Sequence, residues 1–432
     1  MKILFLIKDI NIEKFTVFLE TVRALADRGV KIHIVAASQS EHYVAEPYYD
    51  TDPSITKDVL DVVADAQNGI DGLKSFIRKY AWLEKITWLF VNFVGQWTFR
   101  LKTKMKQNSS ELVFDEFLTP AMKEFKPKRD YDYIWTVDEY GLLWAEWINR
   151  HSKVKYKLVH HSFELYWEHY SFPVHKRWQD FKLYALFEQA RKVLQNVEKI
   201  IIQDEDRWKV LCTYTGLDCK REKFFLPVSI KDYPVNISGN IYEEMKIEKN
   251  KKVILYPTTI MPSRGCLELV KAAQQLDSQF VTVLHGFAAI QEYLIKVKKA
   301  VSSPDKVVLS STPFEYQQLV NIHYDVWCVF LYYEESDNNH KYIVNSSNKL
   351  VMALQAGKPI ITIGNQTLAN LCSEYECGIA INQWETKEFV NAVFELERKY
   401  DTYCKNARKC YEERFDIKLY ADEIYNGLLS GI

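Results

Sequence analysis

Ser346-Ser347-Asn348-Lys349 holds the residues best suited by type and spacing to chemistry, and it enters an apolar helix that ends at Gly357-Lys358-Pro359. Small polar residues let a ligand approach the backbone. The first amides of a helix are unpaired donors with partial positive charge, so the loop predicts a site for an anion such as a diphosphate. Lys349 adds a cation beside it. Gly357 suits a left-handed cap, and Pro359 then stops the helix and opens the apolar run Ile360-Ile361-Thr362-Ile363, which reads as a buried parallel strand. Any αβ protein can own such a step, so its meaning depends on what surrounds it.

Other candidates sit at strand ends. His160 and His161 close one strand, where successive side chains point to opposite faces, so one of the pair, His161, is expected to face the open strand end. Glu164 follows, placed either to orient a hydroxyl or to begin a helix. His285-Gly286 closes another strand, and Gly286 allows close approach of a backbone or ligand.

The positions of these residues imply a frame. The chain has 432 residues with 56 basic and 57 acidic side chains, long for one domain and comfortable for two. Its near-neutral balance argues against a nucleic-acid binder that works by neutralising phosphates. Eight cysteines are scattered without a CxxC pair, so they read as reduced thiols rather than a disulfide frame or a zinc site, which suits cytoplasm. Met1 to Ile7 is too short for a signal peptide and reads as a first buried strand.

In the first half, strand-like runs alternate with amphipathic ones. The pattern predicts strands at 3–7, 31–36, 133–136, 156–160 and 199–203, with helices over 12–28, 139–150 and 176–194. From Lys251 the rhythm restarts, with strands at 253–256, 280–284, 306–309 and 325–331 and helices over 265–275, 288–300 and 314–321. Ser229 to Asn250 reads as a linker. The fold class is therefore α/β, two doubly wound, Rossmann-like parallel-sheet domains facing a cleft, with ligands at the carboxyl ends of strands.

These sheets and motifs resemble the GT-B glycosyltransferases, specifically group 1, family 4-like retaining enzymes that use a nucleotide-sugar donor. The matching segments are Pro257 to Gly265, Asn348-Lys349-Leu350 with Gly357-Lys358-Pro359, Val159 to Tyr166, Ile201 to Arg207 and the final Phe415 to Leu429. The resemblance implies an acceptor domain over 1–230, a donor domain over 251–410, and a terminal helix within 411–432 returning towards the first domain. It implies that Arg264 and Gly265 meet the donor together with His285, Gly286, Ser346, Ser347, Asn348, Lys349 and Leu350. Glu334 and Glu335 follow the strand where the family often places a carboxylate near the donor sugar. His161 and Glu164 line the acceptor side. The donor would be a UDP- or GDP-sugar and the acceptor a glycan or lipid-linked saccharide, with no obligatory metal or cofactor. Met352 stands where the family usually has a ribose-holding Glu, and Lys8-Asp9-Ile10-Asn11 replaces its Gly-Gly turn.

Breaking a sugar–diphosphate bond develops negative charge on the leaving group, so such a site wants fixed cations and amides on the phosphates. Arg264 can bind diphosphate bidentately and Lys349 as a point charge. Residues 76–106 carry Trp82, Trp88, Phe90, Phe93, Trp97 and Phe99 and end in basic residues. They read either as a helical pair packed in the first domain or as a peripheral contact with an anionic membrane. Two other readings share the fold: a degenerate homologue that binds a glycan, nucleotide or partner subunit, and a nucleotide-sugar 2-epimerase.

Overall fold

The computed structural model describes residues 1–8, 15–38, 52–61, 109–128, 130–170, 178–232, 239–311, 314 and 316–432. Seven strands, β1 (Lys2–Ile7), β2 (Lys31–Ser38), β3 (Ile55–Asp61), β4 (Tyr133–Val137), β5 (Lys157–His161), β6 (Lys199–Ile202) and β7 (Phe224–Phe225), form one sheet in the order β3-β2-β1-β4-β5-β6-β7. Six more, β8 (Lys252–Pro257), β9 (Phe280–His285), β10 (Val307–Ser310), β11 (Cys328–Tyr332), β12 (Ile360–Ile363) and β13 (Gly378–Ile381), form a second in the order β10-β9-β8-β11-β12-β13. Every pairing is parallel. Parallel strands covered by helices on both faces must be apolar throughout, and β1, β4, β8, β9 and β12 are buried along nearly their whole length.

The chain divides into two compact units. One comprises Met1–Phe18, Val22–Phe225 and Glu423–Ile432, the other Leu19–Thr21 and Leu226–Asp422. Each sheet has its own apolar core, one around Leu4, Ile134, Trp144 and Trp208 and the other around Ile254, Phe280, Phe330 and Ile361. The terminal helix Lys418–Leu429 ends within the first unit, where the Tyr133 hydroxyl donates to the Leu428 carbonyl at 2.9 Å.

Strand order reverses between β1 and β4 in the first sheet and between β8 and β11 in the second. At such a point the connections leave in opposite directions, opening a crevice at the carboxyl strand ends. The residues after β1, β4, β8 and β11 are therefore the ones the fold offers to a ligand.

Several element boundaries differ from the sequence pattern. The helix expected from Ala288 begins at Gln291, because Ala288 bridges Ile260 in an extended pairing. The strand expected from Asp325 begins at Cys328. Asp325 instead ends the helix Tyr316–Asp325, where its carboxylate accepts from the Gly239 and Ile241 amides at 2.9 and 3.2 Å. The first helix begins at Thr16, while Ile12 lies outside the described residues. So does the aromatic and basic stretch 76–106. No helix among the described residues is long and apolar enough to cross a membrane.

Candidate active site

In the second unit the helix Asn348–Gln355 is built as its sequence demands. Ser347 caps it, its hydroxyl accepting from the Leu350 amide at 3.2 Å. At the other end Lys358 N donates to Ala353 O at 2.8 Å and Gly357 N to Leu354 O at 3.0 Å, with Gly357 at φ +65°. This is a Schellman closure, and it delivers the chain into β12.

Tyr333, the first residue after β11, forms the floor beside that helix. It is 6% exposed, and its hydroxyl lies 2.7 Å from the Ser347 hydroxyl. Two cations stand over its ring: the Arg264 guanidinium and the Lys349 ammonium, each 5.7 Å from the centroid. Neither makes an ion pair with a carboxylate among the described residues. Enclosure, with Arg264 close by, pulls Lys349 down to about 7. His340 is also lowered, mainly by burial, with Asp337 opposing and Arg264 and Lys349 adding to the fall. The Asn348 side-chain oxygen is buried with no partner. Positive charge that the protein leaves unneutralised beside helix-start amides is an arrangement for an anion.

Arg264 owes its position to its neighbours. It closes a short 3-10 turn, Pro262–Arg264, and its carbonyl accepts from the Tyr256 hydroxyl at 2.6 Å. Gly265 follows at φ +58°, with the Trp384 ring so close that a Cβ would lie 2.5 Å from it. On the next strand, His285 stacks on Phe314 at 4.3 Å and its Nδ1 lies 3.1 Å from the Ser310 hydroxyl. Gly286 has φ +152°, and a Cβ there would meet the Thr258 carbonyl oxygen at 1.9 Å. His285 and Gly286 thus hold the loop after β8 against β9. Glu334 and Glu335 are both exposed; Glu335 accepts from the Gln366 amide at 2.7 Å, at the start of the helix Gln366–Tyr375 that Asn365 caps. Met352 is buried on the helix after Lys349, 5% exposed.

In the first unit the two strand-end histidines divide between faces. His160 Nδ1 lies 3.1 Å from the Thr136 hydroxyl. His161 packs edge-on against Phe163 at 4.5 Å and Trp135 at 5.8 Å, and neither of its ring nitrogens has a partner. Both rings are essentially buried, at 0% and 1% exposure, and burial lowers each to about 3, so they are neutral at pH 7.

The carboxylates at the end of β4 carried no sequence signal beyond their place. Asp138 takes φ +48°, in the left-handed region, and accepts from the Phe163 amide at 2.7 Å and the Glu164 amide at 3.4 Å. Desolvation is the main cause that pushes it up to about 7. Glu139 is 3% exposed with one carboxylate oxygen unpartnered, and burial with Asp138 alongside raises it well above the carboxylate range. After β1, Lys8 donates to the Phe117 carbonyl at 2.9 Å, lies 4.1 Å from the Tyr140 ring centroid and is lowered to about 8 by burial. Glu164 meets the same cluster through its amide. Tyr333, His340, Asp138 and Glu139 were missed in the sequence because only the sheet order places them at switch points. No group of metal-binding side chains occurs among the described residues.

This is the GT-B glycosyltransferase fold. Sucrose-phosphate synthase from Thermosynechococcus elongatus superposes over all of both chains with TM-score 0.63 at 13% identity. Anabaena HepE in complex with UDP-glucose does so with TM-score 0.62 at 14% identity. An α,α-trehalose-phosphate synthase (UDP-forming) from Burkholderia vietnamiensis also covers all of both chains, with TM-score 0.59 at 10% identity. No protein-family model and no curated sequence matches the chain.

Proposed function

We propose that this chain is a glycosyltransferase that moves a sugar from a nucleotide-sugar donor to a glycan or lipid-linked acceptor, with retention, in the synthesis of a bacterial-type surface polysaccharide or glycoconjugate. The observation that carries the reading is the pair of unneutralised cations, Arg264 and Lys349, over Tyr333 at the start of the helix Asn348–Gln355. The donor's diphosphate takes that place, its oxygens meeting the guanidinium, the ammonium and the first helical amides. As the sugar–phosphate bond breaks, charge builds on the leaving diphosphate, and fixed cations in an enclosed site stabilise it without reorganising. His285 and Gly286 shape the donor loop. Glu334 and Glu335, in the loop after β11, are assigned to the transferred sugar.

UDP-sugars are the first donors to try, because HepE is described with UDP-glucose; GDP-sugars follow. Acceptor binding is assigned to the first unit, where Asp138, Glu139 and Glu164 supply hydrogen-bonding carboxyls after β4 and β5. His161 contributes by holding that corner. The protein works in the cytoplasm, peripherally at the membrane where the acceptor is lipid-linked. The degenerate-homologue reading draws on Met352, which supplies no carboxylate for a ribose.

The test is turnover. Released UDP, with and without acceptor saccharides, is measured for wild type, Arg264→Ala and Lys349→Ala. Loss of at least about 100-fold in both variants, with unchanged circular dichroism, is expected for removal of groups that stabilise the leaving group. Wild-type-like turnover in both would remove the diphosphate assignment. Binding without turnover in wild type would favour the degenerate homologue, and interconversion of donor epimers the epimerase.

A further inference from the structure

A pocket lies at the opposite end of the first sheet from Asp138. It has a volume of about 360 Å³ and sits where the helices Pro120–Glu124 and Asp138–His151 end and the chain turns towards β5. Its lining is one-sided in charge: Lys123, Lys126 and Lys153 contribute, and no carboxylate does. Asp115 pairs with Lys123 at 2.8 Å, whereas Lys126 and Lys153 make no ion pair among the described residues. His151 stacks on Trp147 with centroids 3.8 Å apart, making a flat wall, and Tyr156 adds an aromatic surface behind it.

The bland account of these cations is that they complement the negative ends of two helices. That field is weak and falls off within a turn. It explains Lys123, inside the last turn of its helix, better than Lys126 and Lys153, which stand beyond the helix ends. It does not explain a cavity. The volume is at the small end of ligand pockets, enough for one sugar ring and its substituent and short of a nucleotide sugar.

We propose that this pocket binds a hexose ring bearing an anionic group, with the ring against the Trp147–His151 wall and the anion between Lys126 and Lys153. The ligand is either a free hexose phosphate or an acidic residue of a glycan chain. This site is independent of the donor assignment.

Saturation-transfer NMR on the full chain decides it, using glucose 6-phosphate, a galacturonate tetrasaccharide, glucose and inorganic phosphate as separate probes. Glucose 6-phosphate or the tetrasaccharide should bind saturably, and at least about tenfold more weakly to the Lys126→Glu/Lys153→Glu variant, a loss of about 1.4 kcal/mol. Whichever probe binds names the source. Both lysines are exposed, so the variant should fold, and an unchanged melting point with unchanged UDP binding controls for that. Three results would overturn the proposal: no saturable binding of either anionic sugar, equal binding by the variant, or phosphate competing as well as the sugar, which means an adventitious ion only.

Discussion

Lys349 is the residue on which the most chemistry turns. Its ordinary value near 10.5 falls to about 7 in the folded chain. The unfolded chain therefore binds the extra proton between pH 7 and 10.5, so the free protein gains stability as pH rises through that window and carries a constant penalty below it. An anion beside the ammonium reverses the shift. At pH 8, where the phosphates of UDP are already fully ionised, UDP binding should draw in up to about one proton. Calorimetry in buffers of different ionisation enthalpy reads this directly, and proton-independent binding at pH 8 would remove Lys349 from the site. Lys349→Met should abolish the uptake while stabilising the free protein near pH 7 by on the order of 1–3 kcal/mol. That is less than the full shift implies, because the side chain is not wholly removed from solvent. A residue needed only for folding would not become dispensable in this way.

Gly286 tests the residue scale differently. Any Cβ there meets the Thr258 carbonyl at 1.9 Å in a conformation L residues rarely adopt. Gly286→Ala should cost about 2 kcal/mol or more in urea unfolding and also weaken UDP binding, because the loop after β8 carries Arg264. A stable variant with intact binding would show that the loop is not held this way.

At the scale of elements, the corner formed by β4 and β5 mixes two opposite pH responses. Neutral His160 and His161 oppose acid: between pH 6.5 and about 3 the unfolded chain binds their protons and the fold does not, so stability falls as pH falls. Asp138 acts the other way, holding its proton in the fold up to about pH 7, so its contribution is lost as pH rises from 4 to 7. His161→Phe keeps the aromatic packing against Phe163 and Trp135 and removes one acid-sensitive group. It should flatten the decline in stability between pH 6 and 4 by up to about 1.4 kcal/mol per pH unit. An unchanged decline would mean the imidazole is not held neutral.

Elements were legible in the sequence where local chemistry decides them. The helix, its Gly357 cap and the strand that runs to Ile363 could be read directly, because glycine favours the left-handed cap and Pro359 cannot continue a helix. The central strands could be read because burial on both faces makes them apolar throughout. Three of the four edge strands could not. β3, with sequence Ile-Thr-Lys-Asp-Val-Leu-Asp, carries charges that an edge tolerates, β7 is two residues long, and β13 is a short Gly-Ile-Ala-Ile run that opens on a glycine. Asp325 looked like a strand residue because its role, receiving the amides of Gly239 and Ile241, is tertiary.

At the scale of the whole molecule, two separate sheets with strand order reversing at β1/β4 and β8/β11 make the GT-B fold. Periodicity announced the sheets but not their order. For that reason Tyr333 and Asp138, each directly after a switch-point strand, were invisible in the sequence, whereas Arg264 and Lys349 were found by type and by resemblance. The donor assignment rests on one unit alone, which makes it the sharpest claim to test. Titration calorimetry of UDP at pH 7 into wild type, Arg264→Ala and Lys349→Ala measures it with no acceptor needed. The account predicts saturable one-to-one binding by wild type and a loss of at least about tenfold in each variant, about 1.4 kcal/mol or more. Binding of equal strength by all three proteins would contradict it.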